Sequence, residues 1–214
     1  MFALMDFSPY NFVVSEGFKK LKNKNIHRTF FENDLKYFCR GFKYIFDKYG
    51  NLENLILAQN EKKEGLSRGQ KLSSLQCDVW KGFYFFREEM AKANKGEYSI
   101  HVSNAGKEDE NGSACKKLNL ALRWLVRGGP VDLGLWKKIK PGALYIPLDV
   151  HVARTARKMG LLERKSNDKK AVVMLTEKLR EYCPEDPVKY DFALFGAGLE
   201  FFSYYRSPKS VLSS

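Results

Sequence analysis

Cysteine is scarce in this chain, and the groupings that would give it chemistry are missing. Cys39, Cys77, Cys115 and Cys183 are scattered along 214 residues with no CxxC pair and no Cys-His cluster. Metal and iron–sulfur sites need ligands gathered by short spacings or by the fold, and the spacing supplies none. The cysteines therefore read as buried, reduced thiols, with no metal and no iron–sulfur cluster expected. Long apolar runs are also lacking: nothing approaches the roughly 20 residues that cross a bilayer, which argues against a membrane partner. The N-terminus, MFALMDFSPYNF, has no basic segment leading into a continuous apolar one, so a secretory signal is not expected and a reducing cytoplasm is. Convincing strand alternation, hairpin dipeptides and internal repeats are absent as well.

What is present is a large apolar fraction and an excess of positive charge. Hydrophobic residues make up 44% and aromatics 14%, too much for a disordered chain and enough for one sizeable core or two lobes sharing one. Net charge is +12, and its placement says more than its size. Between Ser113 and Lys158 lie ten basic residues (Lys116, Lys117, Arg123, Arg127, Lys137, Lys138, Lys140, Arg154, Arg157, Lys158) against Asp132 and Asp149, a local net charge of +8. Each phosphate neutralised by such a patch releases counterions, so the distribution favours a nucleic-acid partner over a merely solvated basic face. Trp124 and Trp136 lie within it and could stack on bases or belong to the core.

The rest reads as successive amphipathic helices. Asn33 or Asp34 can cap a run in which Leu35, Phe38, Phe42, Ile45, Phe46 and Tyr49 recur at helical spacing until Gly50. A second helix is expected over about Leu52 to Lys62. A third runs from near Gly69 to Asn94, with Leu72, Leu75, Val79, Phe83, Phe86 and Met90 on one stripe. Turn formers from Lys95 to Gly112 mark a loop between an N-terminal lobe, about 1–100, and a C-terminal lobe, about 101–214, of one unit. Ala114 to Arg127 carries Leu118, Leu122, Leu125 and Val126 inward, and a short helix is expected around Asp132 to Ile139. Pro141 and Gly142 break the chain, and Pro147 stiffens the approach to Asp149. From Asp149, Val152, Ala153, Ala156 and Met159 repeat at helical spacing to Gly160; Asp168 to Tyr182 and Pro187 to Tyr204 complete an all-α fold.

Two residues of the basic segment can do chemistry as a pair. Breaking an N-glycosidic bond builds positive charge on the sugar, which a carboxylate held against C1′ stabilises. Asp149 suits that task. An amine that attacks the same carbon forms a Schiff base and couples base removal to strand cleavage by β-elimination. Lys116, at a helix start after a small-residue turn, suits the second; Lys117 and the helix N-terminus supply the positive surroundings that favour a free amine there. Taken singly, Asp149 also reads as an ordinary N-cap and Lys116 as a surface lysine.

The stretch PLDVHVAR, Pro147 to Arg154, resembles the VDxH helix of the helix-hairpin-helix DNA glycosylase superfamily, and GSACK, Gly112 to Lys116, resembles the end of its hairpin. On that match Lys116 takes the place of the Schiff-base lysine and Asp149 that of the aspartate. The interval of 33 residues between them is longer than in endonuclease III and is similar to that of archaeal 8-oxoguanine glycosylases, whose hairpin is elongated. KKLNLALRW and IPLD resemble segments of the same group. Asp191 and Phe195, four residues apart, repeat the spacing of its base pocket, to which the resemblance adds Leu120. The chain also resembles an uncharacterised bacterial family with the patterns GSxCKRLNxxLRW, PLDxH and DPxxYDFALFG, whose members begin with a further helix. The hairpin departs from Leu-Pro-Gly-Val-Gly: Glu110, Asn111, Gly112, Ser113 and Ala114 lack the apolar lead and the second glycine. The four-cysteine cluster of endonuclease III is not matched.

The resemblance implies a two-lobed helical base-excision enzyme, expected as a monomer on double-stranded DNA carrying a damaged base. That base, most simply 8-oxoguanine, would be flipped into a pocket. Lys116 and Asp149 would be catalytic, and Leu120, Asp191 and Phe195 base-binding. Gly112, Ser113, Lys117, Arg123, Arg127, His151, Arg154 and Arg157 would contact DNA. Two alternatives stay open: a monofunctional glycosylase for an alkylated base, and a non-catalytic nucleic-acid binder on the same fold.

Overall fold

The computed structural model describes residues 2–58, 78–107 and 110–206, and it is mostly helical. The chain divides into two compact units, one taking residues up to Asn104 and the other starting at Ala105 among the described residues.

In the first unit, α1 (Pro9–Val14) precedes a small antiparallel pair, β1 (Asn25–His27) and β2 (Phe30–Phe31). The pair was not expected from the sequence. Its turn runs through Arg28 at φ +51°, a left-handed position filled without glycine or asparagine, so the usual hairpin signal is missing. Then come α2 (Glu32–Tyr49), α3 (Leu52–Leu57) and α4 (Val79–Ala93). Asp34 stabilises α2 from inside its first turn rather than as the capping residue: its carboxylate accepts from the Phe31 N–H at 2.8 Å. Gly50, at φ +77°, ends the helix as expected. Helix α4 begins later than the periodicity suggested, because Asp78 caps it by accepting from the amides of Trp80 and Lys81. Leu72 and Leu75, placed on the same stripe by spacing, lie outside the described residues, as does the chain beyond Ala58 that would extend α3 to Lys62.

Close approach of these helices depends on two glycines. A side chain at Gly41 on α2 would run into Met90 on α4, and a Cβ at Gly82 on α4 would stand 2.6 Å from Ile56 of α3. A further cluster of Met5, Val13, Phe18, Leu35 and Cys39 packs with Phe12, Phe42 and Phe46. Burial pushes the Cys39 thiol up to about 11, consistent with an inert core residue.

The second unit holds α5 (Lys116–Val126), α6 (Val150–Lys158), α7 (Lys169–Tyr182) and α8 (Asp191–Arg206). Its core gathers Ile139, Leu144, Ile146, Leu148, Val152, Ala156, Val172, Leu175 and Leu194, all nearly inaccessible. Helix α6 packs on α8 where Gly198 faces Thr155, whose Oγ1 would lie 2.7 Å from an added Cβ. Met159 departs from the periodic reading and is exposed, because α6 ends at Lys158 before the stripe reaches it.

The short helix expected around Asp132 to Ile139 does not form. Instead the chain doubles back on the end of α5: the amides of Leu133 and Gly134 donate to the Trp124 carbonyl, and that of Trp136 to Leu125. These bonds satisfy carbonyls that a helix C-terminus otherwise leaves open. Gly134 adopts φ +58°, and a Cβ added there would stand 2.9 Å from the Gly128 α-carbon, a crossing that leaves no room for a side chain.

Candidate functional site

Three helix starts in the second unit bring the predicted residues together. Lys116 is the first residue of α5, and the residue before it, Cys115, is buried in a left-handed conformation at φ +47°. A non-glycine residue in this region costs on the order of 1–3 kcal/mol and persists only where its surroundings over-determine it. The surroundings do so here: the Cys115 carbonyl accepts from the Asn119 N–H, and the buried Asn119 side chain donates back to the Ala114 carbonyl at 3.1 Å. The turn therefore aims Lys116 in one direction.

That direction is Asp149. Lys116 Nζ lies 3.0 Å from Asp149 Oδ2, although 33 residues separate them. The other carboxylate oxygen, Oδ1, accepts from the amides of His151 and Val152 at 2.9 Å each and caps α6. Pro147 and Leu148, both buried, fix the approach. Asp149 is thus an N-cap and the partner of Lys116 at once. Burial pushes its carboxyl up, but the Val152 amide and the Lys116 ammonium outweigh that and hold it below the usual carboxylate range. The lysine side chain is half exposed and the aspartate mostly covered.

Asp191, first residue of α8, is buried and ion-paired with Arg123 Nη1 of α5. Burial raises its carboxyl above the ordinary value, against the pull of Arg123; the nearby Asp149 charge adds to the rise and Lys116 opposes it. Phe195, one turn further along α8, is partly exposed and meets the His151 ring edge-to-face, 5.7 Å between centroids. Leu120 is half-buried one turn beyond Lys116 on α5. Catalytic and base-pocket candidates therefore share one neighbourhood made by the starts of α5, α6 and α8.

The predicted DNA contacts fare differently. Arg123 is not a surface phosphate ligand: it is 1% exposed. Its guanidinium is enclosed by Asp191, by Asp132 at 3.4 Å, and by the Phe192 ring 3.9 Å away. Arg127 joins the same network, pairing with Asp132 at 2.7 Å and Asp186 at 2.9 Å. Five side chains, Asp191, Arg123, Asp132, Arg127 and Asp186, form one chain of ion pairs; a guanidinium drawn from the water must be matched in this way. Arg157 is likewise turned inward on its own loop, donating to the carbonyls of Arg164 and Lys165 and to Asn167. His151 packs on Phe195. Lys117 and Arg154 are exposed.

Gly112 and Ser113 are fastened to the start of α7. The Gly112 carbonyl accepts from the Lys169 N–H at 2.9 Å, Ser113 bridges to Asp168, and an added Cβ at Gly112 would run into the backbone of Ala105 and Gly106. Asp168 closes this staple. It caps α7 through the Ala171 amide, accepts from Asn111 at 2.9 Å and pairs with Arg164, which above all holds its carboxyl well below the usual range. The glycine is needed for close packing of the chain on itself.

Sequence reasoning missed Asp132, Asp168 and Asp186. Asp132 carried a usable signal, as one of only two acids within a strongly basic stretch. Asp168 carried only the signal of a helix start, and Asp186 only its place in the DPxxYDFALFG pattern. A groove of the first unit, about 510 Å³ and lined by Lys36, Arg40, Lys43 and Tyr44 among others, shares no residue with this site.

A family model described as "Protein of unknown function (DUF2400)" matches residues 1–200. The chain belongs to the DUF2400 family. The matched span includes Lys116, Asp149 and Asp191. No curated protein and no solved structure matches the chain.

Proposed function

We propose that this member of the DUF2400 family is a DNA base-excision glycosylase with lyase activity, acting on an oxidised purine, most simply 8-oxoguanine. The observation that carries the proposal is the 3.0 Å contact between Lys116 Nζ and Asp149 Oδ2 at two converging helix starts. A nucleophilic amine and a carboxylate held ionised are the two groups the chemistry needs. Asp149 balances the positive charge that grows on the sugar as the C1′–N bond lengthens. Lys116, whose side chain is half exposed, gives up its proton to solvent, so that Asp149 stays ionised. The freed nitrogen then attacks C1′, the base departs with the bonding electrons, and ring opening yields a protonated Schiff base. Loss of a 2′ proton from that species expels the 3′ phosphate, breaking the strand. Asp191 and Phe195, with Leu120 on α5, lie close enough to contact an extruded base, Asp191 offering hydrogen bonds and Phe195 a ring face.

The test is reductive trapping. Incubated with duplex DNA containing 8-oxoguanine and treated with borohydride, the wild-type chain forms a covalent protein–DNA adduct, and Lys116→Ala forms none. Failure of the wild-type chain to give an adduct with any damaged base or abasic site contradicts the lyase assignment.

A further inference from the structure

Two grooves of the first unit share a basic ridge on α2. One, of about 510 Å³, is lined by Glu16, Lys19, Lys36, Arg40, Lys43 and Asp47 among others. The other, of about 480 Å³, is lined by Asp34, Lys36, Tyr37, Arg40, Glu97 and Tyr98 among others. Lys36 and Arg40, one helical turn apart, border both. The acids of the first groove are already matched, Glu16 by Lys19 and Asp47 by Lys43. Among the described residues no acid pairs with Lys36 or Arg40, so their two positive charges stay available at the ridge.

Arg40 is anchored for a ligand. Its Nη1 donates to Asn94 Oδ1 at 3.2 Å, and Asn94, buried at the end of α4, donates in turn to the carbonyls of Tyr37 and Met90. A guanidinium fixed at one nitrogen keeps its other donors free, and its planar fork suits the paired oxygens of a phosphate.

The second groove adds a flat surface. Tyr98 is half exposed, its hydroxyl donates to Glu88 at 2.9 Å, and the Arg87 guanidinium lies 4.1 Å from its ring centre. A ring held at its edge and on one face loses little freedom when a second planar group stacks on the other. Asp34 and Glu97 make this groove unfavourable for a phosphate, so it suits the uncharged part of a ligand whose charge lies on the first side. A single nucleic-acid strand has that character, since its phosphates carry the charge and its unpaired bases are free to stack on an aromatic ring. A duplex keeps its bases inside, and an acidic peptide matches the ridge without using the ring.

We propose that the first unit carries a binding site for single-stranded nucleic acid, with a backbone phosphate on Lys36 and Arg40 and the adjoining base on Tyr98. The site uses none of the residues assigned to base excision and stands or falls independently of that reading. Stacking one base on Tyr98 should tighten binding roughly tenfold, and each phosphate contact should add about 0.7 to the salt slope for a single strand.

The experiment titrates a fluorescein-labelled short oligothymidylate and an intact duplex with the wild-type chain, Tyr98→Ala, Tyr98→Phe and Arg40→Ala at several salt concentrations, read by anisotropy, with circular dichroism confirming that each variant is folded. The expected result is that Tyr98→Ala lowers the ratio of single-strand to duplex affinity about tenfold, Tyr98→Phe restores it because the ring remains, and Arg40→Ala reduces the single-strand salt slope by about 0.7. A wild-type chain that does not bind the oligonucleotide, or a ratio unchanged in Tyr98→Ala, overturns the site. Thymidine monophosphate competing as well as the oligonucleotide would assign the site to a free nucleotide and overturn the strand. Polyglutamate that displaces the oligonucleotide, and whose own binding is weakened by Arg40→Ala but not by Tyr98→Ala, would assign the ridge to an acidic protein segment and overturn it as well.

Discussion

The carboxylate of Asp149 divides its oxygens, Oδ1 to the amides that start α6 and Oδ2 to Lys116, so its structural and chemical roles can be separated by substitution. Asparagine caps a helix about as well as aspartate, whereas it cannot balance a cationic transition state. Asp149→Asn should therefore fold and lose glycosylase activity. The stability consequence has a definite sign. A carboxyl held below its unfolded value contributes stability that is present above the unfolded value and lost as pH falls through the native one. Asp149→Asn should accordingly be less stable than the wild-type chain by about 1 kcal/mol near neutral pH, and the gap should close in acid. Denaturant midpoints measured at pH 7 and below pH 3 check this. Arg123 shows what residue-level reading could not see: a basic residue in a basic run looks like a phosphate ligand, and only the fold reveals the two aspartates and the ring that enclose it.

At the level of elements, most helices could be read from apolar periodicity and their stop signals, as α2 with Gly50 and α7 after Asp168 illustrate. What could not be read was set by contacts remote in sequence or by unusual backbone. The stretch around Asp132 to Ile139 reads as a short helix, yet the amides of Leu133, Gly134 and Trp136 are claimed by the end of α5. The hairpin before α2 turns on Arg28 and Cys115 turns left-handed before α5, neither with a glycine to announce it. For the site, Lys116 and Asp149 were found by type and position, while the Asp168 staple that fixes the loop before Lys116 was not. Helix packing in the first unit offers its own check. At Gly82 an added methyl would meet Ile56 Cγ2 at 2.6 Å and its α-carbon at 3.2 Å, so α3 or α4 must move. Gly82→Ala should cost about 1–3 kcal/mol despite the better helix propensity of alanine, read as a lower denaturant midpoint with an unchanged slope.

For the whole molecule, a net charge of +12 is not uniformly available to a partner. Arg123 and Arg127 are spent on ion pairs and Arg157 on loop carbonyls, whereas Lys116, Lys117, Lys137, Lys138, Lys140, Arg154 and Lys158 of the second unit's basic segment are exposed. The logarithm of DNA affinity should fall linearly with the logarithm of salt concentration. On the proposed DNA binding, removing one exposed lysine of the α5–α6 loop, as in Lys140→Ala, should reduce the slope by about 0.9, whereas Arg127→Ala should leave the slope and lower stability. Titrations at several salt concentrations distinguish the two.

The central claim, that Lys116 is the nucleophile and Asp149 its partner, is tested most directly by locating the covalent bond. The borohydride-reduced adduct with 8-oxoguanine DNA, digested and read by mass spectrometry, should carry the deoxyribose remnant on Lys116, and Asp149→Asn should greatly reduce its yield. A remnant on another lysine, or a yield unaffected by Asp149→Asn, would contradict the account.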